Sequence, residues 1–130
     1  MRIDHIAIYT EDLERLKQFY LTYFHAVSNR GYHNERTGLR TYFLTFEDGT
    51  RLELMTRPGM MIVDAPQASA YLTGYTHLAF SVGSRELVNS LTDRLERDGY
   101  PVVSRPRVTG DGYYESGILD PDGNYIELTE

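Results

Sequence analysis

The 130-residue chain repeats itself. His5-Ile6-Ala7-Ile8 returns as His77-Leu78-Ala79-Phe80, and Asp48-Gly49-Thr50-Arg51-Leu52-Glu53-Leu54 returns as Asp122-Gly123-Asn124-Tyr125-Ile126-Glu127-Leu128. His5 precedes Glu53 by 48 positions, and His77 precedes Glu127 by 50. Two matches in the same order at nearly the same spacing mark a duplicated module. A duplication limits the fold to two copies of one supersecondary unit.

Each copy reads as a strand, a helix and then further strands, which makes the chain α+β. Module one covers residues 1–57, a connector without clear period covers 56–73, and module two covers 74–130, all within one domain. In module one, residues 2–9 alternate like a half-buried strand. Thr10 or Asp12 caps a helix reaching about Phe24, with Leu13, Leu16, Phe19, Tyr20 and Phe24 at helical spacing. Strands over 41–46 and 50–55 flank the hairpin turn Glu47-Asp48-Gly49. In module two, a strand over 74–82 leads to a helix capped by Ser84, carrying Leu87, Val88, Leu91 and Leu95 and stopped by Gly99. Strands over 113–119 and 124–129 close the module across Asp120-Pro121-Asp122-Gly123.

Side chains alternate between the two faces of a strand. Ile6 and Ile8 oppose His5, Ala7 and Tyr9, and Leu52 and Leu54 oppose Arg51, Glu53 and Met55. Module two repeats this, with Leu78, Phe80, Ile126 and Leu128 opposing His77, Ala79 and Glu127. The aliphatic face is the natural seat of the helix, so the other face presents one His and one Glu per module. A single strand His is usually a satisfied structural residue, and a single strand Glu usually points to water. Recurrence at equivalent positions weakens that reading, and burying two carboxylates together is costly without a cation to neutralise them. His5, Glu53, His77 and Glu127 are therefore expected to converge on one divalent metal ion.

Composition narrows the chemistry of that ion. There is no cysteine, which removes disulfides, thiolate metal sites and a Cys nucleophile and leaves nitrogen and oxygen as ligands. Ni, Co, Zn, Mn and Fe all suit such a set. A formal charge of −6 with dispersed acids argues against a nucleic-acid groove or a polybasic membrane contact. No apolar run approaches the roughly 20 residues of a membrane span, and the first residues lack the basic start and apolar run by which a signal peptide would be expected. A cytoplasmic address is expected.

His-x-Ala near the start, the paired Asp-Gly-x-x-Leu/Ile-Glu-Leu hairpins and Asp120-Pro121-Asp122-Gly123-Asn124 together resemble the vicinal oxygen chelate superfamily, and within it the glyoxalase I-like members. The resemblance spans nearly the whole chain. It implies paired βαβββ modules forming a curled mixed sheet around a metal held at the four positions above. It also implies that the metal acts as a Lewis acid on a substrate with two neighbouring oxygens, while a carboxylate moves a proton next to a carbonyl. Glu127 is the first candidate for that base and Glu53 the second. In glyoxalase I-like chemistry the substrate is a 2-oxoaldehyde thiohemiacetal and the product a 2-hydroxyacyl thioester.

Three departures bear on the thiol. Glutathione-using bacterial members tend to have Arg where this chain has Tyr9, Asn where it has Arg57, and a basic residue where it has Thr109, with Arg107 close by. Another thiol adduct or another oxygen chelate is at least as consistent with the sequence. Tyr9, Arg57, Arg107 and Tyr114 are the expected substrate-binding residues. Arg40 and Arg105 could also orient a carboxylate, Tyr42 and Tyr113 could line a pocket, and His25 and His33 are expected to be exposed and inert. Gly110-Asp111-Gly112 reads as a plain turn more readily than as a flap.

Two other functions fit this sequence. One is a non-haem Fe(II) extradiol-type dioxygenase, which normally needs only two His and one carboxylate. The other is a small-molecule-binding resistance protein without turnover. Many relatives dimerise, and a homodimer is expected because open sheet edges and apolar surface need cover.

Overall fold

Aliphatic alternation and two well-made helix caps organise each half of the chain, seen in a computed structural model that describes residues 1–62 and 73–130. The chain divides into two compact units, Met1–Val63 and Asp64–Glu130. Most of the expected connector lies outside the described residues.

Module one contains strand β1 (Ile6–Tyr9), helix α1 (Leu13–Phe24), the two-residue strands β2 (Val27–Ser28) and β3 (Tyr32–His33), and strands β4 (Arg40–Thr45) and β5 (Arg51–Thr56). The sheet order is β1-β5-β4-β2, with β3 also paired to β4, and β1 runs parallel to β5. Asp12 starts α1 by accepting the Arg15 N–H at 3.0 Å. His25 ends it in the left-handed conformation, its N–H donated to the Tyr20 carbonyl. Leu13, Leu16, Phe19, Tyr20 and Tyr23 are buried against β4 and β5 together with Leu44, Leu52 and Leu54. Tyr23, rather than the expected Phe24, fills the last core position.

Module two contains β6 (Leu78–Ser81), α2 (Arg85–Arg97), β7 (Val102–Val108), β8 (Tyr114–Leu119) and β9 (Tyr125–Thr129). Its order is β6-β9-β8-β7, with β6 parallel to β9. Ser84 caps α2 through the Leu87 N–H at 3.2 Å, and Gly99 follows the helix at φ 94°. Val88, Thr92 and Leu95 face the sheet, whereas Leu87 is 51% exposed and does not join the core as expected. The buried Thr92 hydroxyl lies 2.6 Å from the Val88 carbonyl and 2.7 Å from the Ser116 hydroxyl, so the polar pair is satisfied internally.

The registers of the two modules coincide pair by pair. Ala7 lies opposite Glu53 as Ala79 lies opposite Glu127. Phe43 lies opposite Glu53 as Gly117 lies opposite Glu127, and Thr41 opposite Met55 as Glu115 opposite Thr129. The modules differ at the outer strand. Module two has a continuous β7, irregular between Val102 and Arg107 where Pro106 supplies no N–H. Module one has only the fragments β2 and β3, which pair with opposite ends of β4. Between them Asn29 accepts the Gly31 and Phe43 N–H groups at 3.0 Å each. Gly31, at φ 81°, lies so near the Tyr42 ring that an added Cβ would stand 2.6 Å from it.

The fold is thus α+β with two mixed sheets, as expected. Strands β1 and β6 start later than the alternation suggests, at Ile6 and Leu78. Ile6 is 39% exposed within its own module, because α1 rests on the β4–β5 side of the sheet.

Candidate metal centre

Each His–Glu pair is assembled inside its own module by the same parallel pairing. His5 lies two residues before Ala7, the residue opposite Glu53, and so reaches the Glu53 side of the sheet. His5 Nε2 stands 3.6 Å from Glu53 Oε2, and His77 Nε2 stands 3.7 Å from Glu127 Oε2. Two ligand bonds of about 2.0–2.2 Å bridge such a separation. Each pair can therefore give one nitrogen and one oxygen to the same ion.

The outer imidazole nitrogens are engaged in both modules. His5 Nδ1 is 2.9 Å from the Asp4 carboxylate, which also binds Arg51. His77 Nδ1 is 3.0 Å from the Thr76 hydroxyl. Holding Nδ1 fixes the ring orientation and leaves Nε2 for the ligand, an arrangement common around metal-binding histidines. The donor set fits a borderline divalent cation. Among the described residues, no three His, Asp or Glu side chains gather into a metal-binding group; each pair by itself supplies two ligands.

The surroundings of the two pairs differ. The Phe43 ring packs edge-on against His5 at 5.2 Å between centroids, and the Arg51 guanidinium lies over Phe43 at 5.0 Å. In module two the Tyr125 ring lies beside His77 at 5.7 Å. Arg107 reaches Glu115 at 3.4 Å and also binds Ser104. The Glu127 carboxyl is held above its ordinary range, first by burial and then by Glu115, with His77 and Arg107 pulling the other way. Tyr125 is likewise raised, first by burial and then by Glu127.

The expected substrate residues separate into groups. Tyr9 lies on the His5 side, opposite Met55, and is 54% exposed. Arg107 lies opposite Glu115, on the Glu127 side of its sheet. Arg57 follows β5 and is exposed. Tyr114 is a correction: its hydroxyl donates to Asn89 on α2 at 2.8 Å and its ring lies under Arg85, so it faces the helix, away from Glu127. Alternation along β8 puts Glu115 on the Glu127 side instead. Arg40 and Arg105 are engaged by Glu14 and Glu96, and Tyr42 donates to Glu14 at 2.8 Å. His25 and His33 are exposed, at a helix end and in β3. The 110–112 segment forms a closed turn, with the Gly112 N–H donated to the Thr109 carbonyl at 3.0 Å. Sequence reasoning passed over Tyr125 and Glu115. Tyr125 was within its reach, standing two residues before Glu127 and so on the same face.

Residues 2–128 match the family described as Glyoxalase/Bleomycin resistance protein/Dioxygenase superfamily. The chain is 28% identical over 127 residues to the uncharacterized protein YqjT of Bacillus subtilis, covering 95% of this chain and 94% of that one. Its fold is similar to a glyoxalase family protein from Enterococcus faecalis, with TM-score 0.78, 25% identity and coverage of 99% and 97% of the two chains. It is also similar in fold to the trypanothione-dependent glyoxalase I of Leishmania major, with TM-score 0.76, 24% identity and coverage of 100% and 86%.

Proposed function

The chain belongs to the glyoxalase/bleomycin resistance protein/dioxygenase superfamily, and from that premise we propose that it is a metal-dependent lyase or isomerase of the glyoxalase I kind. Its substrate is a small molecule that chelates through two neighbouring oxygens, such as a 2-oxoaldehyde thiohemiacetal. His5, Glu53, His77 and Glu127 hold the cation. The observation that carries this reading is the recurrence, in one register, of two His–Glu pairs at 3.6 and 3.7 Å.

When bound, the divalent cation supplies Lewis-acid polarisation of the substrate oxygens. The chain's own residues do the rest. Asp4 and Thr76 orient the imidazoles through Nδ1. Glu127 takes the proton from the carbon beside the carbonyl and returns it to the neighbouring carbon. Glu127 suits this task because a second carboxylate, Glu115, and the counter-charge of Arg107 lie next to it. Arg107 and Tyr9 contact the substrate beyond the reacting carbons. The thiol component is open to compounds other than glutathione, since Tyr9 and Arg57 stand where glutathione users carry different groups.

The protein acts as a homodimer, which covers the exposed Ile3, Ile6 and Tyr113 side chains. It works in the cytoplasm; among the described residues no helix is long and apolar enough to cross a membrane.

The test is metal content and turnover of protein purified without chelators, screened against combinations of thiols and 2-oxoaldehydes. Glu53→Gln and Glu127→Gln are expected to bind metal more weakly and to lose turnover of the accepted adduct. Unchanged metal content in both variants would contradict the proposal. Fe(II)-dependent oxygen consumption with a catechol would replace it with a dioxygenase, and tight metal-free ligand binding without turnover would replace it with a binding protein.

A further inference from the structure

Gly117 and Phe43 occupy the same register position, each directly opposite the metal-site glutamate of its module. In module one the position is filled by a phenyl ring that packs on His5. In module two it has no side chain, and another residue uses the space. A Cβ built on Gly117 would stand 2.0 Å from the Tyr125 hydroxyl oxygen and 2.4 Å from Cζ. The tip of the Tyr125 phenol therefore occupies the volume that a Gly117 side chain would take. Tyr125 comes from the neighbouring strand, two residues before Glu127, and leans along the ligand face toward the position opposite Glu127. Its ring borders His77 at 5.7 Å.

We propose that the Tyr125 hydroxyl is a substrate-contacting group that donates a hydrogen bond to an oxygen of the chelating substrate, and that Gly117 is the positioning residue that admits it. This inference rests on the metal-dependent reading above and deepens it by naming a specificity determinant. Three further observations agree. The position equivalent to Tyr125 in module one is Arg51, which is committed to Asp4 and to the face of Phe43. The position equivalent to Thr129 is Met55, so an apolar side chain stands two residues beyond Glu53 where a hydroxyl stands two residues beyond Glu127. Thr129 Oγ1, two residues beyond Glu127, is buried without a hydrogen-bond partner among the described residues. The hydrogen-bonding capacity of this face thus exceeds what the module itself consumes. The substrate class that matches is a small molecule carrying vicinal oxygens, at least one of them charged or strongly polarised. A phenol donor there discriminates it from an apolar analogue, because an analogue that displaces water from the hydroxyl without accepting its hydrogen bond leaves the donor unpaired.

The experiment uses the full chain loaded with Co²⁺, with acetohydroxamate, a bidentate oxygen chelator, as the probe. Binding of cobalt and then of the probe is followed through the visible d–d absorption. Tyr125→Phe is expected to keep the cobalt affinity of wild type and to bind acetohydroxamate about tenfold more weakly, the scale of one hydrogen bond to a charged acceptor. Gly117→Ala is expected to produce the same loss by displacing the phenol, and the double variant should be no weaker than either single one. If Gly117→Ala does not fold, Tyr125→Phe decides alone. Wild-type probe affinity in Tyr125→Phe overturns the inference while leaving the metal centre standing, and so does a loss of cobalt affinity in that variant. A wild-type protein that takes up no cobalt, or takes up cobalt but no chelator, overturns the metal-dependent reading itself.

Discussion

The two modules use one register and one His–Glu geometry, yet they surround the pair differently. In module one the pair is bordered by Phe43, Met55 and Tyr9, and its imidazole is tied to a charged carboxylate, Asp4. In module two it is bordered by Gly117, Thr129 and Ser81, and its imidazole is tied to a neutral hydroxyl, Thr76. Module two also brings Tyr125, Glu115 and Arg107 to the same face. In both modules the glutamate of the pair stands opposite a small alanine, Ala7 for Glu53 and Ala79 for Glu127. The flanking positions differ: Phe43 and Met55 stand beside Glu53, whereas Gly117, Thr129 and Tyr125 stand beside Glu127. On the function proposed above, module one anchors the cation and module two handles the proton.

The largest expected effect separates the two glutamates. Glu127→Gln should lower turnover by about 10²–10⁴-fold at saturating metal, whereas Glu53→Gln should lose activity chiefly through weaker metal binding and recover part of it as metal is added. Equal residual activities at full metal occupancy, measured by steady-state kinetics with parallel metal analysis, would erase the distinction. Next come the cores. Leu54→Ala and Leu128→Ala occupy equivalent, fully buried positions, and each should cost about 2–5 kcal/mol. Hydrogen exchange should report the loss in the substituted module first; uniform loss through both would show that the modules unfold as one unit.

A smaller effect is confined to module two. Asp120 is buried and accepts the Asp122 N–H, the Asn124 N–H and the Asn124 side-chain amide at 2.9 Å each. Asp120→Ala should cost about 1–3 kcal/mol, read by denaturant unfolding, and a neutral result would remove this turn from the list of features holding β8 to β9.

The smallest effect concerns acid. Glu14 is held below its ordinary range, first by hydrogen bonds from Lys17 and Tyr42, and Asp4 first by its bond to His5. Depressed carboxylates contribute stability that is present above their unfolded values, 4.5 and 3.8, and lost as pH falls through the lower folded values. These groups are largely exposed, so the contribution is small. Asp120 is raised, chiefly by burial, so its charged form opposes folding and that penalty is relieved as pH falls through its folded value toward 3.8. Module one should therefore lose amide protection before module two on acidification below about pH 4.5. The reverse order would contradict this assignment of charges.

Much of this was legible in the sequence. The repeat gave the modular plan, Ser84 announced the cap of α2 and the Thr10/Asp12 pair narrowed that of α1, which Asp12 makes, and aliphatic alternation at Leu52, Leu54, Ile126 and Leu128 sorted the faces correctly. What was not legible depends on pairing between strands. β2 and β3 are only two residues each, and β7 contains Arg105, Pro106 and Arg107, so none carries a strong strand pattern. Tyr114 was expected to bind substrate; the β8 register turns it to α2 and turns Glu115 to the Glu127 side. Leu87 looked like core by type but falls off the α2 stripe that Val88, Thr92 and Leu95 define. The seat of Tyr125 over Gly117 needs the diagonal distance across two strands, which no linear spacing contains.

X-ray absorption spectroscopy of the cobalt- or zinc-loaded full chain, with the metal-to-chain ratio measured on the same sample, tests the central claim most directly. The account predicts one tightly held ion per chain, coordinated by two imidazoles and only nitrogen and oxygen ligands, with His5→Ala and His77→Ala each reducing the imidazole count to one. Two ions per chain with a single imidazole apiece, or coordination unchanged in either His variant, would contradict it.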